Sequence, residues 1–135
     1  MNKLRKKKSG FTLVELMAVV AIIAILAVVL VPTVSGYITR SKKVAIVSQV
    51  RIALGAVETY NATAKDPVAD GSTISAAVTK IADEDILKGS DVDRIGTMTV
   101  TQAKLINKDA NAIKNIELDD KSINFASYKE PAGSN

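Results

Sequence analysis

The chain contains no cysteine and no histidine, and its few aromatic side chains are three Tyr and two Phe. Without cysteine no disulfide can staple a small domain, so packing alone must hold it. Thiolate chemistry, cysteine-based metal sites and any histidine-based triad or ligand set are excluded by the same two absences. No glycine-rich phosphate loop is present, and no pair of carboxylates stands out as an acid/base couple. Most enzymatic readings lose their chemistry at this point, and no cofactor is expected. The absence of cysteine leaves the compartment open.

The 135 residues suffice for one domain. The formal net charge of +4 is a local property: Lys3, Arg5, Lys6, Lys7 and Lys8 supply five cations within the first ten residues. In the remainder, 13 Lys and Arg face 14 Asp and Glu. There Lys80, Lys88, Lys104, Lys108 and Lys114 are interleaved with acids, so no basic face argues for nucleic acid.

Apolar residues are concentrated in one run. From Phe11 to Val31 the only polar side chains among 21 residues are Thr12 and Glu15. As a helix this run spans ~31 Å, about one hydrocarbon thickness. Five cations precede it and three, Arg40, Lys42 and Lys43, follow it. That bias puts the N-terminus in the cytoplasm and the remainder outside. A conventional secretory signal has a shorter apolar core and a small-x-small cleavage site behind it. Here Val31-Pro32-Thr33-Val34-Ser35 follows, a poor match.

Pro32 removes one helix hydrogen bond and is expected to kink the helix or end it. Beyond it, Ile46, Val50, Ala53, Val57, Tyr60 and Ala64 recur at steps of four and three, and Val47 and Leu54 widen the stripe. This is the apolar face of an amphipathic helix. Its opposite face carries Ser41, Lys42, Ser48, Arg51, Gly55 and Glu58. Residues 61–73 read as a loop around Pro67 and Gly71. Residues 74–87 read as one or two short helices ending at Gly89, the second opening at Asp83-Glu84-Asp85. Three β-strands are then expected, over Thr97–Thr101, Ile113–Leu118 and Ser122–Tyr128, with a tight turn at Asp119-Asp120-Lys121.

The densest local signal is Lys6-Lys7-Lys8-Ser9-Gly10-Phe11-Thr12-Leu13-Val14-Glu15-Leu16-Met17. Cutting a chain after Gly10 places a residue without a side chain at the scissile bond, where a protease must approach the backbone closely. It frees an α-amino group on Phe11. Glu15 is then the conspicuous residue, because a carboxylate in an apolar helix is costly at the bilayer centre and less so near an end. A first-turn position favoured by the helix dipole accounts for it in one reading. In another, Glu15 seeks the Phe11 amine. Four residues of spacing put both on one face of their own helix. Helices packed side by side could instead bring Glu15 to the Phe11 amine of a neighbouring copy. A dry helical surround would strengthen such a pair and penalise the wrong register.

This stretch resembles the class III signal of type IV pilins and pseudopilins: a short basic leader ending in Gly, then Phe, then Thr-Leu-x-Glu opening a long apolar helix. The resemblance covers the leader and about 30 residues of helix. Pro32 falls where many members of that family have a proline, and Tyr37, Arg40 and Ser41 resemble a continuation seen in some of them. The resemblance implies that a membrane aspartyl prepilin peptidase cleaves after Gly10 and N-methylates Phe11. It further implies an inner-membrane assembly platform and other pilin subunits as partners, with membrane lipid as the partner before assembly. Two departures are plain. Ala24 stands near where family members often have a glycine that loosens the helix ahead of the proline. The disulfide of many Gram-negative pilins is also missing, so the chain is more similar to the cysteine-free pilins of Gram-positive bacteria.

The expected fold is α+β: a long N-terminal helix, transmembrane then amphipathic and partly protruding, packed on a small antiparallel sheet of about three strands. Residues 1–10 form a cleaved leader, 11–34 a transmembrane and polymerisation helix, and 35–135 the amphipathic half of that helix plus a small globular head. The expected function is a structural subunit of a cell-surface pilus, not an enzyme. A pseudopilin of a secretion or competence system is one alternative. The other is a monomeric membrane-anchored binding module that keeps residues 1–10. The segment Asp91-Val92-Asp93-Arg94-Ile95-Gly96 copies the opening of a calcium loop. Ile95 stands where an oxygen is required, however, and Gln102 where a bidentate Glu is required, so no metal site is expected.

Overall fold

The computed structural model describes residues 10–82, 86–119 and 124–133. In chain order the elements are α1 (Leu13–Thr63), α2 (Ile74–Ile81), a 3-10 turn (Gly89–Asp91), α3 (Val100–Lys108), α4 (Ala112–Asn115), β1 (Ile116–Leu118) and β2 (Phe125–Tyr128). The chain divides into two compact units, Met1–Ile38 and Thr39–Asn135.

In the first unit the described residues form the apolar part of α1, which is long and apolar enough to cross a membrane. Every side chain from 11 to 38 is exposed. Each Val, Leu or Ile here would gain roughly 1.5–3 kcal/mol on leaving water. A run of them with no cover in its own chain calls for lipid or other helices. The helix does not end at Pro32: it stays continuous from Ala24 through Pro32. The proline has no N–H for the carbonyl of Val28. Just beyond it, the Thr33 hydroxyl donates to the Val29 carbonyl at 3.3 Å and the Ser35 hydroxyl to the Val31 carbonyl at 3.1 Å. Both donate to the carbonyl four residues back, the local bond that Ser and Thr side chains make inside a helix.

In the second unit, α1 buries Ile46, Val50, Ala53, Leu54, Ala56 and Val57 in one core with Ile74, Ile81, Ile95, Met98, Ile106, Ile116 and Phe125. The stripe expected from the spacing is the buried face, and Ser41, Ser48, Arg51, Gly55 and Glu58 are exposed opposite it. The isoleucines at 46, 74, 81, 95, 106 and 116 are each at most 1% exposed. At roughly 1.5–3 kcal/mol apiece they supply the hold that a cysteine-free domain must find in packing.

The sheet is smaller than expected. Two antiparallel strands pair Ile116 with Tyr128, Glu117 with Ser127 and Leu118 with Phe125; a register irregularity leaves Ala126 between the last two pairs. The strand expected at Thr97–Thr101 is a helix start instead. Thr99 caps α3: its hydroxyl accepts from the Gln102 N–H at 3.2 Å, while the Gln102 side chain accepts from the Thr99 N–H at 3.0 Å. This reciprocal box satisfies two donors at once and outweighs the β-preference of Val100 and Thr101. Thr73 caps α2 in a related way, accepting from the Ala76 N–H. The two caps are tied by an antiparallel bridge between Thr73 and Thr99. Two smaller expectations are also corrected: α1 runs on through Thr63 into the expected loop, and Gly89 opens a 3-10 turn in place of closing a helix. α2 spans Ile74–Ile81, where the first short helix is expected. Residues 112–115 coil as α4, so β1 begins only at Ile116. Asp83-Glu84-Asp85, the Asp120-Lys121 part of the expected turn, Ser122 and Ile123 lie outside the described residues.

The C-terminal hairpin is fastened by Asp109, the C-cap of α3. Its carboxylate accepts from the Tyr128 hydroxyl at 2.6 Å, from Asn115 Nδ2 at 2.7 Å and from the Asn111 N–H at 2.7 Å. The Tyr128 hydroxyl, then the Asn115 amide, hold the Asp109 carboxyl below its ordinary range. Burial first, and then Asp109 itself, push the Tyr128 phenol up. A carboxylate whose folded pKa is depressed contributes stability above its unfolded pKa of about 3.9, and that contribution is lost as pH falls through the folded value. Asp109→Asn is therefore expected to lower the thermal midpoint at pH 7, with the gap to the parent closing as pH drops below about 3.9. Melting curves of both proteins from neutral to acid pH check this. A gap independent of pH would assign the loss to something other than ionised Asp109.

Candidate functional site

The site foreseen in the sequence is the start of α1. Leu13 is the first helical residue, and Thr12 precedes it as the N-cap. The first turn has a definite hydrogen-bond pattern. Oε2 of Glu15 accepts from the Thr12 backbone N–H at 2.9 Å and from the Thr12 hydroxyl at 2.9 Å. The same hydroxyl accepts from the Glu15 N–H at 3.2 Å. This is a capping box, Thr-x-x-Glu, in which two orphan donors of the helix end are satisfied reciprocally. The negative carboxylate also lies at the positive end of the helix dipole.

Thr12 is thus the residue that the sequence reading passed over, although its signal was present. A Thr three residues before a Glu at the head of an apolar run marks a helix start. In the intact chain the Phe11 nitrogen is an amide, and the Glu15 carboxylate is held by Thr12. Phe11 itself is 90% exposed. Gly10 is exposed too, and a Cβ added there would meet nothing within 4 Å. Pro32 lies inside the same helix, well away in sequence from this first turn. Lys3, Arg5, Lys6, Lys7 and Lys8 lie outside the described residues.

The carboxylates of the calcium-loop-like segment have structural work. Asp91 Oδ2 accepts from the Lys88 N–H at 3.1 Å, closing the 3-10 turn, and Asp93 Oδ1 accepts from Gln49 Nε2 at 2.6 Å. Gln49 also accepts from the Arg94 N–H at 3.1 Å, so one α1 side chain holds the 93–94 segment by both ends of its amide. Among the described residues no group of three Asp or Glu side chains is placed to hold a metal ion.

Residues 5–31 match the family model described as the prokaryotic N-terminal methylation motif. The matched segment is a class III signal peptide of the type IV pilin and prepilin family. No curated protein matches the chain, and no solved structure does. The motif implies processing by prepilin peptidase and assembly into pilus-like filaments. Together with the exposed apolar helix it indicates membrane anchoring before assembly.

Proposed function

We propose that the chain is a structural subunit of a type IV pilus on the cell surface. Residues 1–10 are its leader, removed by cleavage after Gly10, and the new N-terminal Phe11 is N-methylated. Residues 11–34 hold the subunit in the membrane and then form the core of the filament. Residues 35–135 carry the amphipathic half of α1 and the head. The protein is the substrate of an enzyme and is not one itself.

One observation carries this reading: the methylation motif opens a helix whose large apolar side chains, from Leu13 to Val34, are all exposed. A helix apolar all round is stable only where lipid or like helices cover it. The amine freed on Phe11, with an ordinary pKa of about 7.7–8.0, would be largely cationic at neutral pH, and methylation would keep that charge. It would lie beside a first turn whose conspicuous charge is Glu15.

The test is intact mass and N-terminal sequencing of protein sheared from the native cell surface. The expected result is a chain beginning at Phe11 with one added methyl, recovered in the sheared fraction. The same processed N-terminus confined to the envelope would replace the surface pilus with the short filament of a pseudopilin. Retention of residues 1–10 in a membrane-bound protein would leave a monomeric anchored binding module in its place.

A further inference from the structure

One turn of α1 at the start of the Thr39–Asn135 unit carries three cations, Arg40, Lys42 and Lys43. No acid stands in the chain between Glu15 and Glu58. Among the described residues the ion pairs join Lys80 to Asp66 and Lys104 to Asp70, and they leave these three cations unpaired. Asp93, which does reach α1, is engaged there by Gln49. Nor does membrane orientation account for the cluster. Cations behind the apolar run work against the bias that the leader sets, so neutral residues would serve that bias better.

Depth and direction point to the partner. Counted from Glu15 at the cytoplasmic boundary, a hydrocarbon core takes about 20 residues and ends near Gly36. Tyr37, 71% exposed, then falls at the boundary, where the amphipathic ring of a tyrosine is favoured. Arg40 follows about 6 Å of helix beyond Gly36, and Lys43 only about 4.5 Å beyond Arg40, so all three cations stand at headgroup level. Arg40 is exposed, whereas Lys42 and Lys43 are half-buried one turn before Ile46 and Val47, at the margin of the core. Long cationic side chains lay their stems along such apolar margins and keep the charge in water. Side chains on an α-helix lean toward its N-terminus, which here is the direction of the apolar run.

The anion available at that depth is the lipid phosphate, which Arg meets with two N–H groups and Lys as a point charge. In a zwitterionic headgroup the phosphate already has its own amine as counter-ion, so a headgroup with net negative charge gains most from three unpaired cations. We propose that Arg40, Lys42 and Lys43 bind anionic phospholipid headgroups on the side of the membrane opposite the leader, an inference that rests on the membrane-anchored state before assembly. Extraction into a filament has to break these contacts, so anionic lipid strengthens the hold of the membrane on the waiting subunit.

The experiment uses the full chain in lipid nanodiscs of phosphatidylcholine with rising fractions of phosphatidylglycerol, read by the amide NMR signals of residues 39–44. The leader cations act at other residues, so a signal for each residue keeps the two basic segments apart. The expected result is saturable movement of these amides with phosphatidylglycerol. It should vanish at about 1 M salt, where the Debye length falls to about 3 Å. Arg40→Gln, Lys42→Gln and Lys43→Gln combined are expected to weaken the headgroup preference about fivefold per cation, the scale of one Lys or Arg near an anionic surface. Arg40→Gln alone, at an exposed position, replaces the combined variant should that lose its native spectrum, and about fivefold is expected of it. Entry into the discs with no movement overturns the proposal alone and leaves these cations to the acids of a neighbouring copy. Movement that survives high salt, or that is undiminished in a folded variant, overturns it as well. A chain that enters discs of neither composition overturns the membrane-anchored reading along with it.

Discussion

Glu15→Ala is expected to insert in the membrane and lose its leader like the parent chain, yet to yield at least about tenfold less filament in the sheared fraction, the consequence of losing about 1.4 kcal/mol per assembly step. Insertion is unaffected because removing a carboxylate makes the segment more apolar. Cleavage is expected to persist because Gly10 and Phe11 are unchanged. Assembly fails because the freed Phe11 amine of one subunit loses the acid that would neutralise it among packed apolar helices, where an unpaired charge is expensive.

Capping is the competing explanation for Glu15, and the first-turn geometry separates the two. Glu15 accepts from both the N–H and the hydroxyl of Thr12. If the carboxylate served only the helix end, Thr12→Ala would impair assembly as much as Glu15→Ala does. Loss of an N-cap threonine ordinarily costs about 0.5–2 kcal/mol of helix stability. Glu15→Gln is the sharper variant, because glutamine at this position completes a capping box as glutamate does but carries no charge. The expected order of filament yield is parent, then Thr12→Ala, with Glu15→Gln and Glu15→Ala both far below. Near-parental filaments from Glu15→Gln would reduce Glu15 to a cap and remove the ion pair from the assembly mechanism.

How much of this was legible in the chain depends on the range of the interactions involved. The processing motif and the buried stripe of α1 are local patterns. Gly10-Phe11 with Glu15 lies within six residues, and Ile46, Val50, Ala53 and Val57 repeat at the helix period, so both could be read without knowing the fold. The region after Asp93 was harder because two local preferences compete there. Thr97–Thr101 alternates and is β-branched, but Thr99 and Gln102 stand at capping-box spacing, and the cap prevails. Ile113 belongs by pattern to a strand, yet the Lys114 N–H donates to the Asn111 carbonyl at 2.8 Å and coils the chain until Ile116. The least legible feature is the meeting of α1 with the Asp93-Arg94 segment. No period or short motif encodes that meeting. It depends on Gln49, more than forty residues upstream, holding Asp93 and Arg94 in place.

Gly10→Val is expected to abolish processing altogether, and with it assembly. The variant should fold and insert normally, since a Cβ at Gly10 meets nothing within 4 Å and the backbone there is not in the left-handed region. A failure to be cut would therefore report the approach of the peptidase and not damage to the precursor. A β-branched side chain crowds both faces of the scissile carbonyl, whereas a single methyl crowds it less, so Gly10→Ala should be cut slowly and Gly10→Val not measurably. The uncut chain keeps the five leader cations. Drawing even one of them to the centre of the hydrocarbon costs about 2.5–3.5 kcal/mol on insertion scales. The leader thus holds the N-terminus at the cytoplasmic face, and extraction into a filament is blocked until it is removed. Mass spectrometry of membranes and of the sheared fraction separates the outcomes. Intact chain in the membranes and nothing in the sheared fraction is expected for Gly10→Val. A processed protein beginning at Phe11 in parental amounts would show that the peptidase does not need a bare backbone at residue 10, and the cleavage position would then have to be set by Phe11 and the apolar run behind it.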